Sequence, residues 1–177
     1  VMSLVLFTCM VGLLIAPINV DFTSACISLL AVAIGSGAAG TLNMWYESDL
    51  DALMSRTCLR PIPTGKVKKD QALYFGIVLS ALSVSIIYFS ANLISAILLA
   101  STIAFYFFVY TIWLKRKTPQ NIVIGGAAGA LPPVIGWTIA TGNISVEPLI
   151  LFLIIFLWTP SHSVSYTHLR AHETQTH

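Results

Sequence analysis

Four oxygen-bearing side chains lie close together at one end of an apolar segment: Asn43, Glu47, Asp49 and Asp51. If the helix continues past this point, the residues at positions 43, 47 and 51 stack along one face, and Asp49 points away from that face. Three carboxylates within five residues repel one another unless a cation lies among them. Mg²⁺ binds oxygen ligands and often shares them with substrate phosphates. The cluster therefore indicates a Mg²⁺ site, and a solvated, charge-balanced helix end is the alternative.

Basic residues accompany this cluster. Arg56 and Arg60 follow it directly, and Lys115 and Arg116 come in a later loop. Guanidinium groups bind phosphate through paired hydrogen bonds, and lysine adds a point charge. Together with carboxylates that hold a metal, these residues would form a receptor for a metal diphosphate. For the cations alone, ordinary membrane topology is an equal explanation, because basic residues mark the cytoplasmic side of membrane proteins.

The composition predicts the elements that position these residues. Of 177 residues, 56% are hydrophobic and only 9% are charged, whereas a soluble domain carries about 25% charged residues. Apolar runs long enough to cross a bilayer as helices recur along the chain, and the alternation typical of a membrane barrel is not visible. We therefore predict an all-α, multi-pass transmembrane bundle, with the lipid bilayer as its surroundings and no nucleic acid as a partner. Six spans are predicted, at about residues 1–18, 25–46, 71–89, 93–114, 121–141 and from 147 past Trp158.

The placement of Lys and Arg predicts the orientation of these spans. Eight of the nine cations fall in the loops after the second and fourth spans, and the loops after the first, third and fifth spans contain none. The positive-inside rule then places both basic loops, and the acidic cluster beside them, on the cytoplasmic side of a bacterial inner membrane. In a mitochondrial inner membrane the same side would be the matrix.

Small residues and prolines predict how the spans pack. Gly35, Gly37 and Gly40 lie in the second span, and Gly125 and Gly129 in the fifth, so we expect close helix packing at these glycines. Pro132-Pro133 should kink the fifth span and free backbone carbonyls there. The kink is a candidate wall for a cavity.

Several motifs together resemble a known family. The run from Asn43 to Pro61 closely resembles the first acidic motif of the protoheme IX farnesyltransferases (heme O synthases), which belong to the UbiA superfamily of intramembrane prenyltransferases. The resemblance covers about residues 1–162, and we interpret this part as the N-terminal part of an intramembrane prenyltransferase domain. It continues through Tyr110-Thr111, Lys115-Arg116, the glycine-rich run from Asn121 to Trp137, and Trp158-Thr-Pro-Ser-His162.

The resemblance implies a fold, a reaction and a set of roles. It implies a bundle of nine spans that transfers farnesyl from farnesyl diphosphate to a vinyl group of protoheme IX, giving heme O and diphosphate. Asn43, Glu47 and Asp51 would hold Mg²⁺ against the diphosphate, with Asp49 in the same pattern. The leaving group would be neutralised by Arg56, Arg60, Lys115 and Arg116. Trp45, Tyr46 and Tyr110 could shield a farnesyl cation, or they are aromatic residues at the membrane boundary.

The end of the chain departs from the family pattern. Residues 163–177 are polar, fit no span and lack a second acidic motif. We interpret them as foreign to the domain, expect the chain after about Ser163 to be unstructured, and expect the chain as given to be inactive. His162 lies inside the resemblance and is a candidate heme-binding residue, with a helix-end histidine as the alternative.

Two other functions remain open from the sequence. A different prenyltransferase of the superfamily, acting on an aromatic acceptor, would carry the same acidic and basic motifs. A membrane transporter would explain the spans and glycines, but it would leave the acidic motif without a purpose. Metal-dependent binding of farnesyl diphosphate distinguishes a transporter from either enzyme.

Overall fold

The structure is a computed structural model that describes residues 2–55, 57–114 and 121–173, and it describes residues 121–123 and 160–173 by their backbone alone. Within these ranges the regular elements are all helices, which confirms the predicted all-α class. The elements are α1 (Met2–Ile15), α2 (Phe22–Tyr46), α3 (Ser48–Leu53), α4 (Lys69–Ser90), α5 (Leu93–Ala104, continued by a π-helix over Phe105–Leu114), α6 (Asn121–Ala130), α7 (Pro132–Thr141) and α8 (Val146–Glu173).

The helices match the predicted spans closely. Four stretches in the described ranges are long and apolar enough to cross a bilayer: Phe22–Tyr46, Lys69–Ser90, Leu93–Leu114 and Ile124–Thr141. The apolar helices Met2–Ile15 and Val146–Thr159 are shorter. The predicted turn at residues 90–92 separates α4 from α5, and Asn92 caps α5 by accepting a hydrogen bond from Ser95 N at 2.9 Å. Asp21 caps α2 in the same way, accepting from the backbone N–H groups of Thr23 and Ser24.

The start of α5 and the end of α7 are joined by a polar network. Asn92 Nδ2 donates to the backbone oxygen of Thr138 at 2.7 Å, and Ser95 Oγ donates to Thr138 Oγ1 at 3.0 Å. Ser95 and Thr138 are both completely buried. Because a buried polar group without a partner costs free energy, these bonds select one relative placement of the α4–α5 turn and α7.

The predicted kink divides the fifth span into two helices. α6 ends at Ala130 and α7 begins at Pro132, as expected from a proline pair that removes two backbone donors. α7 is buried along most of its length and packs against α1. At this contact Gly12 faces the backbone of Pro133, and Gly136 faces the backbone carbonyl of Cys9. A Cβ atom at either glycine would overlap the facing main chain, so both helices depend on glycine for their separation.

Gly136→Ala should therefore lower the thermal stability of the detergent-solubilised protein. Overpacking of this kind costs about 1–3 kcal/mol, because the backbone of Cys9 has to move rather than a flexible side chain. Gly129→Ala, on the neighbouring helix α6, is the matched control, because a Cβ atom there meets nothing within 4 Å. Equal melting temperatures for the two variants would contradict the close α1–α7 contact.

One sequence expectation about helices is wrong. The chain after Ser163 was expected to be unstructured, but the backbone of α8 continues to Glu173. The expectation rested on the polarity of this segment, and polarity opposes membrane insertion rather than helix formation; residues 161–173 contain no Gly or Pro to end the helix. The fourth span is helical as predicted, and its last ten residues form a π-helix.

Candidate functional site

The three residues spaced four apart lie on one helical face, as the sequence predicted. α2 ends at Tyr46 and α3 begins at Ser48, but the backbone hydrogen bonds continue across the break. Glu47 N donates to Asn43 O at 3.0 Å, and Asp51 N donates to Glu47 O at 2.8 Å. Asn43, Glu47 and Asp51 are 9%, 6% and 3% exposed. The polar face therefore points into the protein, where each group needs a partner.

Asp51 is the most deeply buried of the three and has a cationic partner. Its Oδ2 lies 2.7 Å from Nη1 of Arg60, and the hydroxyl of Thr57 donates to its backbone oxygen at 3.0 Å. The side chain of Arg60 is 36% exposed, so the guanidinium reaches the site from the loop while Asp51 stays inside. A buried carboxylate requires such compensation. The structure thus joins one predicted metal ligand with one predicted diphosphate ligand.

Asp49 lies apart from this group. Its side chain is 79% exposed and pairs with Lys69 at 3.5 Å, on the outer side of the same turn. In the part of the chain that the structure describes, no three His, Cys, Asp or Glu side chains converge as metal ligands. Asn43, Glu47 and Asp51 therefore offer one amide oxygen and two carboxylates. The remaining ligands of a metal would have to come from water or substrate.

The π-helix supplies residues that sequence reasoning did not single out. Thr111 is completely buried there and accepts a hydrogen bond from Asn43 Nδ2 at 3.3 Å. Tyr106 stacks on Tyr110, with ring centroids 5.1 Å apart, and lines the cavity described below, which Tyr110 and Trp45 do not. The Tyr110-Thr111 pair was part of the recognised motif. The π-helix, which places Tyr106 and Thr111 five residues apart on the side of α2, could not be predicted, because an apolar aromatic run has the same composition in an ordinary helix.

An apolar cavity of about 430 Å³ lies beside the polar face. It follows α2 from Val32 to Met44, about 18 Å at the helical rise of 1.5 Å per residue. Asn43 and Arg60 stand at its polar end. The other walls come from α1, α5, the π-helix and the α6–α7 kink, through residues that include Val5, Leu99, Ile103, Tyr106, Ala128, Pro132 and Ile135. The arrangement suits a ligand with a charged head and a long apolar tail.

The glycines of α2 and α6 pack against neighbouring helices or line the cavity, and Gly35 does both. Gly35 packs against Leu99 and Ile103, and Gly125 against the ring of Tyr110, as the sequence predicted. Gly37, Gly40 and Gly129, however, would meet nothing within 4 Å if they carried a Cβ atom, and all three line the cavity. The expectation of close helix packing is therefore wrong for these three. The absence of side chains at these three glycines enlarges the cavity and does not bring two helices into contact.

The remaining predicted site residues lie outside the described part of the chain. This holds for Arg56, Lys115 and Arg116 entirely and for the side chain of His162, whose backbone belongs to α8. The described site thus consists of Asn43, Glu47, Asp51 and Arg60, with Thr111 and Tyr106 added from the π-helix.

Comparisons with known proteins show the family of the chain. Residues 5–175 match the model of the UbiA prenyltransferase family. The chain is 72% identical over 162 residues to a protoheme IX farnesyltransferase of Pelagibacter ubique (strain HTCC1062), covering 92% of this chain and 54% of that protein. It is 59% identical over 173 residues to a protoheme IX farnesyltransferase of Ehrlichia ruminantium (strain Gardel), covering 98% and 59%. The chain thus spans just over half the length of these relatives.

A solved structure has the same fold. The apo structure of a UbiA homolog from Aeropyrum pernix K1 superposes with a TM-score of 0.73 at 22% identity, covering 94% of this chain and 62% of that one. At this identity the likeness concerns the fold alone. The resemblance drawn from the motifs is confirmed.

Proposed function

This chain belongs to the UbiA prenyltransferase family, and we propose that it supplies the farnesyl-diphosphate-binding part of an enzyme that transfers a farnesyl group to a vinyl group of protoheme IX. The products would be heme O and diphosphate. The names of the relatives that are 72% and 59% identical support this reaction. The motifs through which the sequence resembles the family also include the polar residues of the site.

One observation carries the proposal: the apolar cavity ends at a buried polar face. A farnesyl chain has no hydrogen-bonding groups, so it gains free energy from leaving water, about 0.8 kcal/mol per buried CH₂. Its diphosphate needs positive charge and donors, which Arg60 brings to the polar end. The apolar part of the cavity therefore suits the farnesyl chain, and its polar end suits the diphosphate.

The donor set fits Mg²⁺. Asn43, Glu47 and Asp51 present an amide and two carboxylates from one buried face, and Mg²⁺ in proteins is held by one or two carboxylates together with substrate phosphates. We assign the metal to these three residues and not to Asp49, whose side chain faces outward to Lys69. When bound, Mg²⁺ would neutralise the diphosphate and so ease its departure.

The residues of the chain would stabilise the leaving group and exclude water from the cavity. As the allylic C–O bond breaks, negative charge moves onto the diphosphate, where Arg60 stabilises it at the polar end of the cavity. By resemblance to the family, Arg56, Lys115 and Arg116 would contribute further positive charge that neutralises the diphosphate. The walls around Val32 and Ile135 exclude water from the cationic farnesyl chain. His162 would contact the porphyrin acceptor.

The acceptor assay tests the proposed reaction. The protein at the length of its relatives, reconstituted with lipid, is incubated with farnesyl diphosphate and either protoheme IX or 4-hydroxybenzoate. We expect a farnesylated porphyrin with the mass of heme O, and no prenylated phenol. Prenylation of the phenol alone would replace the heme-directed assignment by the other prenyltransferase reaction. Absence of transfer to either acceptor would contradict the enzymatic function.

The site would face the cytoplasm of a bacterial cell, across its inner membrane, or the matrix of a mitochondrion. The positive-inside rule supports this side. The antiparallel packing of α2 and α4 supports opposite sides for the two ends of the bundle, because Ser28 bonds to Ser90 at one end and Asp49 pairs with Lys69 near the other. Lys66→Cys and Asn143→Cys should accordingly react with an impermeant thiol reagent from opposite sides of intact cells. Both positions are exposed to solvent or lipid rather than buried. Labelling of both from the same side would contradict the topology.

A further inference from the structure

Thr111 makes two hydrogen bonds from the interior of the bundle. Its Oγ1 lies 3.0 Å from the backbone oxygen of Tyr106 and 3.3 Å from Nδ2 of Asn43. Tyr106 precedes Thr111 by five residues, and this separation is the one that a π-helical turn closes. The first partner of the hydroxyl, Tyr106 O, is therefore within reach because of the π-helix, and the second partner, Asn43, belongs to α2. Thr111 is completely buried, so water does not compete for either bond.

The first bond determines the sense of the second. A hydroxyl has one proton and two lone pairs, and a backbone carbonyl can only accept. The hydroxyl of Thr111 therefore donates its proton to Tyr106 O, and it can only accept a hydrogen bond from Asn43. The Asn43 amide must turn its NH₂ group to Thr111. Because oxygen and nitrogen are the two opposite ends of the amide, Oδ1 then points away from Thr111.

We propose that Thr111 is a positioning residue that fixes the amide of Asn43 with its oxygen toward the metal diphosphate. The inference rests on the proposed function and deepens it. An amide turned the other way would present two N–H donors to a cation, which binds oxygen. Asn43 is only 9% exposed, so solvent offers little compensation for a wrong orientation. The π-helix thus acts on the metal site through one hydroxyl group.

A purely structural role makes a different prediction. In that case the Asn43–Thr111 bond only ties α2 to the π-helix, and its loss lowers stability without changing the need for metal. Thr111→Val removes the hydroxyl and keeps the shape, and Thr111→Ser keeps the hydroxyl. The readout is the Mg²⁺ concentration for half-maximal equilibrium binding of farnesyl diphosphate to the protein at its relatives' length, in lipid nanodiscs. Melting temperatures are measured in parallel.

Thr111→Val should raise this Mg²⁺ concentration roughly 10–100-fold, as expected for a residue that orients a metal ligand, and Thr111→Ser should leave it near the wild-type value. Measuring Thr111→Val together with Asn43→Asp shows whether the effect passes through the amide of Asn43. A carboxylate has oxygen at both ends, so orientation no longer matters there, and Thr111→Val should then cause no further increase. If Thr111→Val does not fold, Thr111→Ala is measured in the same two backgrounds.

Each outcome decides the inference. A Thr111→Val protein with a lower melting temperature and an unchanged Mg²⁺ requirement would overturn the positioning role and leave the proposed function standing. An equal increase in the Asn43 and Asn43→Asp backgrounds would overturn it as well, because the effect would not pass through the amide. A wild-type protein that binds farnesyl diphosphate without Mg²⁺, or does not bind it, would overturn the metal assignment itself and this inference with it.

Discussion

Asp51→Asn is expected to lower the rate of farnesyl transfer by about 10²–10³-fold, the size of effect seen when one preorganised charge-stabilising contact is lost. Asp51 is 3% exposed and faces Arg60 at 2.7 Å, so the proposed metal ligand also holds a cation in position. The amide keeps the shape of the carboxylate but loses its charge. The rate is measured as farnesylated product formed per minute at saturating Mg²⁺.

Asp70→Asn is the matched control, since it also replaces one carboxylate near the same membrane face. Asp70 is exposed in the first turn of α4 and is not part of the polar face. We expect nearly unchanged transfer in this variant and unchanged membrane insertion in both. Glu47→Gln should resemble Asp51→Asn, because Glu47 lies on the same buried face. Near-normal turnover in both Glu47→Gln and Asp51→Asn would refute the metal site.

Gly37→Leu is expected to lower kcat/KM for farnesyl diphosphate about a hundredfold. A Cβ atom at this position meets nothing within 4 Å and enters the cavity. The leucine side chain would displace about four carbons of the ligand, and at about 0.8 kcal/mol per carbon the loss is roughly 3 kcal/mol, or about two powers of ten in affinity. The comparison is made as kcat/KM at fixed Mg²⁺.

The length of the prenyl chain makes this prediction specific. Gly37 lies about 9 Å from Asn43 along α2, at 1.5 Å per residue, so a leucine there obstructs the cavity near its midpoint and blocks the half beyond it. Geranyl diphosphate, with its shorter chain, should lose much less than farnesyl diphosphate. Cys26→Leu, on an exposed part of α2, is the control for added apolar bulk. Equal losses for both diphosphates would argue against the cavity as the prenyl site.

The apolar runs were sufficient to predict the membrane-spanning helices, and the four-residue spacing was sufficient to predict the polar face of the site. The four-residue spacing of Asn43, Glu47 and Asp51 holds because the backbone hydrogen bonds continue across the break at Glu47. The basic loop was also placed beside the acids, but spacing did not show that Arg60 would pair with Asp51 rather than with Glu47. That choice depends on the path of the loop over Thr57, whose hydroxyl bonds to the backbone of Asp51.

The features that escaped sequence reading depend on three-dimensional context. A glycine is equally suited to close packing and to an open wall, and Gly35 and Gly37 differ only in what stands opposite each of them. The π-helix lies in an aromatic, apolar run whose composition fits an ordinary helix equally well. In α8, polarity was taken as a sign of lost structure, although helix formation requires only a compatible backbone.

Photo-crosslinking tests the central claim most directly, namely that the cavity beside Asn43 and Arg60 holds the prenyl chain. A farnesyl diphosphate analogue with a diazirine at the end of its chain is irradiated with the protein in lipid, with and without Mg²⁺, and the labelled residues are identified by mass spectrometry. We predict labels on Val32, Leu99 or Ile135 that require Mg²⁺ and disappear with excess farnesyl diphosphate. Labels on outward-facing residues such as Leu30, formed equally without Mg²⁺, would contradict it.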